Sequence, residues 1–297
     1  MITELSILLP CYNNTCYGLV ATLAAQARRV EGLSYEIIVA DDGSTDRAAI
    51  AENAKINSLP RCRYAVRGFN SGRAAIRNFL AREARYSRLL FIDSDMSPGG
   101  DDYIANYLRL DGADVAYGGY VVGPKPAGPG RNLRYAYERR YHRNASAEMR
   151  RLRPYDDFHT SNFMIRRPIM LAHPLDERFR RYGYEDVIFG KTLRQGGIAI
   201  EHVDNPLVFD DFETNAAFIA KTEEGLATLN AFAAELGGYS ALVDMRARLR
   251  RLGLIPLMRL LHAAAARLIK TNLTGNKPSV LLFNIYKLLT LCKMKNE

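Results

Sequence analysis

The chain has 297 residues, of which 48% are apolar and 25% are charged, and its formal net charge is +9. This length and composition allow one large folded domain with an appendage, and they exclude a chain that is disordered throughout. Four scattered cysteines without C-x-x-C spacing exclude a disulfide scaffold and a zinc finger. No basic segment precedes the first apolar run, so we expect no signal peptide and a reducing, cytoplasmic setting.

The positive charge is concentrated near the end of the sequence. Residues 245–297 contain eleven Lys or Arg and one acidic residue, Glu297, which gives a net charge of +10, whereas residues 1–244 sum to −1. The nearly neutral body argues against nucleic acid as a partner. The basic tail indicates contact with an anionic surface.

Strands and helices alternate in the first hundred residues. Apolar or β-branched runs predict strands, and the segments between them predict helices with one apolar face. The predicted strands are 5–9, 36–40, 62–66 and 89–92, and the predicted helices are 19–29, 47–57 and 72–85. This order is typical of βαβ units, so we expect an α/β fold with a Rossmann-like, mostly parallel sheet flanked by helices.

The middle of the chain is less regular, although single elements can still be assigned. The expected elements are a strand over 114–122, a mobile Pro/Gly-rich loop over 123–130, a helix over 132–151, a helix over 186–195 and a last strand over 198–203. In a parallel sheet, ligands bind at the carboxyl ends of the strands, so the polar residues at those ends are the candidates for a site.

The last part of the chain has a helical composition. We therefore divide the chain into an α/β domain over 1–212 and a helical, basic extension over 213–297. Two apolar stretches, 252–269 and 280–291, are shorter than the roughly 20 residues that a membrane-spanning helix needs. Basic residues between their leucines are typical of a helix at a membrane surface, and packing against the core with a solvated basic face is the alternative.

Asp93-Ser94-Asp95 follows a predicted strand directly. Residues i and i+2 of an extended chain point to the same side, so the two carboxylates suit a hard divalent cation such as Mg²⁺ or Mn²⁺. The alternative is a turn in which Asp and Ser cap the backbone.

A second acidic run, Asp41-Asp42-Gly43-Ser44-Thr45-Asp46, lies between a predicted strand and a predicted helix. Gly43 permits a tight turn, and Ser44 or Thr45 suits the start of the helix. The carboxylates are candidates for binding a nucleobase or a ribose, and a capped loop is the alternative. Neither G-x-G-x-x-G nor a P-loop occurs in the sequence.

Glu185-Asp186 precedes an apolar helical run. One of these carboxylates is a candidate general base for an incoming hydroxyl. A helix N-terminus would lower its pKa and burial would raise it, so the direction stays open. An acidic helix start without a catalytic role is the alternative. His202 is a weak candidate for a metal ligand, and His159 is predicted to be structural or exposed.

Taken in order, these motifs resemble the family-2 glycosyltransferases, which have a nucleotide-sugar-binding fold of the A type (GT-A). The matching motifs are Pro10-Cys11-Tyr12-Asn13, Asp41 to Asp46, Asn70-x-Gly72 with Arg77-Asn78, Asp93-Ser94-Asp95 and Glu185-Asp186. The resemblance covers roughly residues 3–212 and makes that segment a nucleotide-sugar-dependent glycosyltransferase domain.

The resemblance implies transfer of a sugar from a nucleotide donor, UDP in preference to GDP, to an acceptor hydroxyl with inversion and with Mn²⁺ or Mg²⁺. It implies nucleotide binding by Pro10, Tyr12, Asn13, Asp41, Asp42, Arg73, Arg77 and Asp93. It implies metal binding by Asp95 with Asp93, catalysis by Asp186 with Glu185, and sugar contacts for Asn162, Tyr182 and Tyr184.

One position departs from the family pattern. Many relatives carry a metal-binding His some two dozen residues after the Glu-Asp pair, and Phe209 stands about there in this sequence. Asp210 supplies an oxygen ligand instead, or His202 reaches in, or the metal has fewer protein ligands.

The resemblance leads to a functional hypothesis with alternatives. The hypothesis is a hexosyl- or N-acetylhexosaminyl-transferase of bacterial surface polysaccharide synthesis that acts on a glycan or lipid-linked acceptor. Its basic tail would hold it on the inner face of the cell membrane. The alternative is a non-catalytic nucleotide-sugar-binding subunit of a larger assembly. A nucleotidyltransferase is disfavoured because the first predicted strand is not followed by a Gly-rich loop with Arg or Lys.

Overall fold

The computed structural model describes residues 1–128, 130–141 and 146–295. The chain forms two compact units that are not continuous in sequence. The first unit contains Met1–Gly123, Asn144–Arg180 and Glu185–Asp211, and the second contains Pro124–Arg143, Arg181–Tyr184 and Phe212–Glu297. The expected domain boundary at residue 212 stays a prediction.

The secondary structure of the described residues alternates between strands and helices until about residue 210 and is helical thereafter. The strands are β1 (Glu4–Cys11), β2 (Ser34–Asp41), β3 (Cys62–Val66), β4 (Arg88–Ile92), β5 (Met96–Pro98), β6 (Val115–Tyr117), β7 (Tyr120–Val122), β8 (Asn162–Arg166), β9 (Ile200–His202) and β10 (Leu207–Phe209). The helices are α1 (Tyr17–Arg28), α2 (Arg47–Ala54), α3 (Arg73–Glu83), α4 (Tyr103–Leu108), α5 (Leu133–Tyr141), α6 (Ala147–Arg151), α7 (Arg167–Ala172), α8 (Glu185–Gln195), α9 (Asn215–Ala231), α10 (Ala241–Arg251), α11 (Ile255–Thr274) and α12 (Val280–Lys293).

A seven-stranded sheet forms the centre of the first unit, in the order β3-β2-β1-β4-β8-β6-β9. β8 runs antiparallel to both of its neighbours, and the other pairs are parallel. A smaller sheet has the order β5-β10-β7, with β10 antiparallel to β5 and parallel to β7. The predicted α/β fold with a mostly parallel sheet is confirmed.

Both faces of the central sheet are covered. Leu5, Ile7 and Leu9 of β1 belong to one buried cluster, whereas Leu8 belongs to the other. Helix α1 supplies side chains to the first cluster, and α3 supplies side chains to the second. Because residues on both faces of such a strand are buried, the centre of β1 appears in the sequence as an apolar run interrupted by Ser6.

The predicted strand over 114–122 is wrong in one respect, because it is two short strands in different sheets. Gly118 and Gly119 break it. A Cβ on Gly118 would lie 2.3 Å from the carbonyl oxygen of Asn205, and Gly119 has a φ of 76°. This backbone region favours glycine, so the chain turns there and leaves the central sheet.

The predicted helix over 132–151 is likewise two helices. α5 belongs to the second unit and α6 to the first, and residues 142–145 between them lie outside the described residues. The mobility expected for residues 123–130 stays a prediction, and residue 129 also lies outside the described residues.

The second unit is helical, as predicted for the C-terminal region. Leu133 of α5, Phe218 of α9, Ile269 of α11 and Phe283 of α12 meet in one buried cluster. Among the described residues no single helix is long and apolar enough to cross a membrane. Taken together, α10 and α11 have the length and apolar composition of a membrane span, but the two helices are bent by 117° relative to each other.

Candidate active site

The loops after β1 and β2 lie side by side. The two strands pair in parallel with Cys11 opposite Asp41, so the residues that follow each strand emerge at the same edge of the sheet. Pro10 is half-buried at the end of β1, and Tyr12 is 47% exposed. The exposed ring of Tyr12 is therefore accessible at the edge where nucleotides bind in parallel sheets.

Asn13 ties these two loops together. Its side-chain oxygen accepts hydrogen bonds from the backbone N–H groups of Thr45 (2.8 Å) and Asp46 (3.0 Å), and its own N–H donates to the Ser44 hydroxyl (2.7 Å). Asn13 has a φ of 49°, a conformation that Asn tolerates better than most residues. Its structural role is to hold the acidic loop against the end of β1.

Asp41 is buried and fixes the turn that follows β2. Its Oδ1 accepts from the N–H of Ser44 (2.7 Å), and its Oδ2 accepts from the Tyr64 hydroxyl (2.5 Å). Burial, together with the hydrogen bond to Asp41, raises the pKa of Tyr64 above its ordinary value, so the phenol keeps its proton and donates it.

Asp42 is also buried and organises the loop before α3. It accepts four hydrogen bonds: from the Ser71 N–H (3.0 Å), the Ser71 hydroxyl (2.7 Å), the Gly72 N–H (2.9 Å) and Arg67 Nη1 (3.3 Å). Four is about the number that a carboxylate accepts. Asp42 therefore holds the loop between β3 and α3 in place, and the predicted contacts of Asp41 and Asp42 with a nucleotide stay predictions.

A network of ion pairs, which we call the chain of charges, joins the end of β4 to the start of α8. Asp93 accepts one hydrogen bond from Arg77 Nη2 and another from Arg73 Nη2 (3.2 Å), and Arg73 Nε donates to Glu185 Oε1 (2.5 Å). Arg77 is only 1% exposed, and it also donates to the carbonyl oxygen of Arg73 (3.0 Å). Four predicted site residues that are far apart in the sequence are thereby brought together.

Glu185 carries an unsatisfied atom in this chain of charges. The residue is buried, and among the described residues its Oε2 has no hydrogen-bond partner. A buried acceptor without a donor is costly unless a ligand or water supplies one. Oε2 is therefore available to accept a hydrogen bond from a ligand or from water.

Asp186 follows Glu185 and is paired with a residue that the sequence did not indicate. Its Oδ2 lies 2.9 Å from His159 Nδ1, and its Oδ1 accepts from the N–H of Val187 (2.8 Å). Burial by itself would raise the pKa of Asp186. The hydrogen bond and the charge of His159 outweigh burial, with help from Val187 and Arg73, so the pKa lies below its ordinary value.

Asp95 and Asp210 lie at the same end of the paired strands β5 and β10. Met96 of β5 is paired with Phe209 of β10 in an antiparallel register, so Asp95 precedes one partner and Asp210 follows the other. Both residues are exposed. Opposite residues of an antiparallel pair point to the same face, which favours a shared role for the two carboxylates.

A metal site built from three or more protein ligands is not found. Within the described residues, no group of three His, Cys, Asp or Glu is placed to hold a metal ion. Mg²⁺ commonly binds through one or two carboxylates together with substrate phosphates. The predicted metal ligands Asp95 and Asp210 therefore stay predictions.

His202 is a structural residue. It is fully buried, its Nε2 donates to the carbonyl oxygen of Pro154 (2.9 Å), and its Nδ1 accepts from Arg150 Nε (3.3 Å). Burial lowers its pKa, which agrees with a neutral ring that donates once and accepts once. A role as a metal ligand would break at least one of these hydrogen bonds.

Asn162 is fully buried, and its side chain is hydrogen-bonded to residues from several segments of the first unit. Its amide accepts from the hydroxyls of Tyr103 (2.5 Å) and Tyr107 (2.8 Å) and donates to the carbonyl oxygens of Gly119 (2.6 Å) and Asn205 (3.0 Å). These bonds hold the start of β8 in place. A direct contact with a sugar would have to replace one of them.

Tyr182 and Tyr184 belong to the second unit. The N–H of Tyr182 donates to Glu224 Oε1 (3.1 Å), and Lys221 lies 5.2 Å from its ring centre. Tyr184 has a φ of 71°. The predicted contacts of both tyrosines with sugars stay predictions.

Part of this chain is similar in sequence to known proteins. The model of glycosyl transferase family 2 matches residues 6–171. An uncharacterized glycosyltransferase of Haemophilus influenzae is 33% identical over 34% of the chain and 38% of that relative. A chondroitin synthase of Escherichia coli is 33% identical over 42% of the chain, and the match spans only 18% of the synthase.

Solved structures show the same fold. The crystal structure of S. aureus TarS 1-349 in complex with UDP-GlcNAc has a TM-score of 0.52 and 15% identity, with 98% of this chain and 89% of that chain covered. The longer S. aureus TarS structure has a TM-score of 0.53 and 16% identity, with 97% of this chain and 55% of that chain covered.

Proposed function

This chain belongs to glycosyl transferase family 2 and is a glycosyltransferase, and we propose the reaction that it catalyses within that family. The chain transfers a hexosyl or N-acetylhexosaminyl group from UDP to an acceptor hydroxyl, with inversion and with a divalent cation. The observation that carries this proposal is the position of Asp186, which directly follows Glu185, while Arg73 ties Glu185 to Asp93 at the end of β4.

Asp186 is the proposed general base. Within the described part of the chain, the carboxylate accepts hydrogen bonds from His159 and from Val187, which leaves about two of its four acceptor positions for an incoming hydroxyl. The acceptor oxygen bonds to the anomeric carbon while its proton passes to Asp186. The bond from that carbon to the diphosphate breaks, and its electron pair leaves with UDP.

This single displacement requires no covalent enzyme intermediate. Attack from the face opposite to UDP inverts the anomeric carbon. The lowered pKa keeps Asp186 ionised at neutral pH, ready to accept the proton. The pairing with His159 also restrains the orientation of the carboxylate, which supports catalysis by a positioned base.

Asp95 and Asp210 are the proposed metal ligands, and Asp93 lies two residues before Asp95 in the sequence. A bound Mg²⁺ or Mn²⁺ would offset the negative charge that develops on the departing diphosphate. Both arginines that neutralise Asp93 belong to α3, so Asp93 is held in place by the protein itself. We therefore assign Asp93 chiefly to the ribose and the alignment of the loop.

The nucleotide pocket is proposed to lie at the ends of β1, β2 and β4. Pro10, Tyr12 and Asn13 border it on one side, and the loop fixed by Asp41 and Asp42 borders it on the other. The TarS structures in complex with UDP and with UDP-GlcNAc support UDP as the nucleotide and an N-acetylhexosamine as a candidate sugar.

The acceptor is proposed to be a glycan or a lipid-linked glycan of a bacterial surface polysaccharide. The relative named as a chondroitin synthase supports a glycan product. The basic tail supports a location at the anionic inner face of the cell membrane, with the enzyme peripheral and in the cytoplasm.

Calorimetry tests the donor site directly. The purified chain is titrated with UDP and with GDP, each with and without Mn²⁺, and is then incubated with a panel of UDP-sugars. UDP binding that requires Mn²⁺, followed by release of UDP in the presence of an acceptor, is the expected result. Binding without turnover on any sugar would favour a non-catalytic nucleotide-sugar-binding subunit, and failure of both nucleotides to bind would overturn the proposal.

A further inference from the structure

Helix α11 of the second unit is apolar on two neighbouring sides. One face packs inward, where Ile269 and Leu273 are buried and Met258 and Ala265 are partly buried. The other face carries a leucine stripe with the spacing of one helix side. We call this stripe the leucine face, and its members are Leu257 (47% exposed), Leu260 (66%), Leu261 (42%) and Leu268 (74%).

Such a pattern is unusual for a helix on the outside of a protein in water. A surface helix normally has polar residues on the side that faces away from the core. Four exposed leucines on one helix side indicate a surface that something else covers. Two further exposed apolar residues, Leu281 and Ile285, lie one turn apart on α12.

Basic residues lie beside the leucine face. At the helical spacing of 3.6 residues per turn, Arg267 lies next to Leu260 at one edge of it, and Arg259 and Lys270 lie further round the helix on that side. Arg248, Arg250 and Arg251 are exposed at the end of α10, immediately before α11. No Asp or Glu occurs in residues 245–296.

This combination of positive charge and apolar surface indicates what covers the leucine face. A second copy of the chain would bring two strongly basic regions together and would be repelled. An anionic phospholipid surface offers the opposite charge beside an apolar interior. A helix with leucines on one side and Lys or Arg at the edge lies in the plane of the interface, with its apolar face 5–10 Å deep.

We infer that the leucine face of α11 inserts into the boundary between headgroups and acyl chains of an anionic phospholipid bilayer. Arg267, at the edge of the leucine face, lies at the level of the headgroups, whereas Arg259 lies further from that face and donates to the carbonyl oxygen of Cys292 (3.3 Å). Lys270 contributes less there, because it is paired with Glu223 at 2.7 Å. This inference rests on the membrane location in the proposed function and names the surface responsible for it.

Vesicle binding by the full chain tests the leucine face. The double variant Leu260→Ser/Leu268→Ser is compared with Leu152→Ser/Leu171→Ser, which removes two exposed leucines of the first unit. With vesicles containing phosphatidylglycerol, the first variant should bind at least about tenfold more weakly, because each inserted leucine is removed from water. The second variant should bind like the wild type.

Two controls separate this inference from the proposed reaction and from dimerisation. UDP binding measured by calorimetry should be unchanged in both double variants, because none of the four leucines belongs to the proposed nucleotide site. Equal vesicle binding by all three proteins would overturn the inference. A wild-type dimer that becomes a monomer only in Leu260→Ser/Leu268→Ser, with vesicle binding unchanged, would assign the face to a second copy.

The absence of tryptophan from the sequence permits a direct depth measurement. In Leu260→Trp, the single tryptophan should show a blue-shifted emission with anionic vesicles and quenching by brominated acyl chains. In Leu152→Trp, the emission should not change. Identical emission of Leu260→Trp with and without vesicles that bind the protein would overturn the insertion.

The basic residues are tested by charge removal. Arg251→Gln/Arg267→Gln should weaken binding to anionic vesicles by roughly fivefold for each arginine and reduce its salt dependence. Arg85→Gln/Arg109→Gln removes two exposed charges of the first unit and should have no effect. Equal losses in both variants, or equal binding to neutral phosphatidylcholine, would contradict an anionic membrane and indicate non-specific charge attraction or another partner such as nucleic acid.

Discussion

The carboxylate of Asp186 is paired with the imidazole of His159, with 2.9 Å between Oδ2 and Nδ1. The pair joins the start of α8 to the segment just before β8, and the His159 side chain is 37% exposed. The rings of Tyr117 and Tyr120 pack against His159 at 6.2 and 5.8 Å between centroids. The proposed base is therefore oriented by a residue that is itself held by aromatic neighbours.

Replacing the proposed base should abolish most of the transfer. Asp186→Asn keeps the size of the side chain but has no anionic oxygen to accept a proton. Sugar transfer should fall by roughly 10²–10⁴-fold, whereas UDP affinity measured by calorimetry should not change. Asp157→Asn, which alters a surface pair with Arg153, is the matched control and should transfer normally. Unimpaired transfer by Asp186→Asn would reject the base.

The His159–Asp186 pair should be visible in the pH dependence of the reaction. His159→Gln removes a charge and weakens a hydrogen bond that lower the pKa of Asp186, so that pKa should rise. The base is active when ionised, and activity is lost as the pH falls through its pKa. The acidic limb of kcat/KM against pH should therefore move to higher pH in His159→Gln. A lower rate with the limb unmoved would mean that His159 is only structural.

The same pKa shift affects stability with a defined sign. The pKa of Asp186 is lower in the folded chain than in the unfolded chain, so the pair stabilises the fold fully above the unfolded pKa. This stabilisation is lost as the pH falls through the folded pKa. The difference in unfolding free energy between wild type and Asp186→Asn in urea should accordingly shrink towards acidic pH, and a difference that grows would contradict it.

The two proposed metal ligands should act together. Asp95→Ala and Asp210→Ala should each weaken UDP binding in the presence of Mn²⁺ and leave any metal-independent binding unchanged. The double variant should lose little more than the worse single variant, because two ligands of one ion are not additive. Asp211→Ala, an exposed neighbour, is the control and should bind normally. If both single variants keep the wild-type affinity for UDP in the presence of Mn²⁺, neither Asp95 nor Asp210 is a metal ligand.

Local sequence patterns predicted the elements of the central sheet that are covered on both faces. The apolar runs within β1, β2 and β4 are followed by Pro10, Asp41 and Asp93, and such runs can be recognised in the sequence without knowing which strands pair. The loops at their ends were therefore placed correctly at one edge of the sheet. The antiparallel strand β8 was not predicted, because its five residues carry no turn signal and pair with segments distant in sequence.

The site residues that the sequence did not predict were missed for one physical reason. His159 meets Asp186 across 27 positions in the sequence, and Tyr64 meets Asp41 across 23. Neither contact leaves a periodic or adjacent pattern in the chain. A single His between Phe158 and Thr160 has no local feature that distinguishes it from a structural residue, so only the fold identifies it.

The buried arginine of the charge chain should contribute strongly to stability. Arg77→Met leaves Asp93, whose side chain is 14% exposed, with Arg73 as its one cationic partner among the residues that the structure describes. Removing one member of a buried pair typically costs about 3–5 kcal/mol, and the remaining arginine should keep the loss near the lower figure. Arg82→Met on the same helix removes a surface pair with Glu177 and should cost about 0–1 kcal/mol. Equal unfolding free energies in urea for the two variants would contradict the buried role of Arg77.

The tight turn after Asp42 should tolerate no side chain at Gly43. Gly43 has a φ of 76°, and a Cβ there would lie 2.5 Å from the backbone carbon of Phe69. Alanine pays roughly 1–2 kcal/mol for this backbone region alone, and the close approach adds to it because backbone atoms must move. Gly43→Ala should therefore destabilise the chain and weaken UDP binding, since the loops fixed by Asn13 and Asp42 would be displaced.

Gly32→Ala isolates the contribution of the close approach. Gly32 has a similar φ of 73°, but nothing lies within 4 Å of the Cβ that alanine would add. Its loss of stability should be limited to the backbone cost, and UDP binding should stay at the wild-type value. If the two alanine variants lose the same stability in urea and bind UDP equally well, the contact between the acidic loop and Phe69 is not needed for the nucleotide pocket. A larger loss in Gly43→Ala assigns the difference to that contact, because backbone conformation is common to both positions.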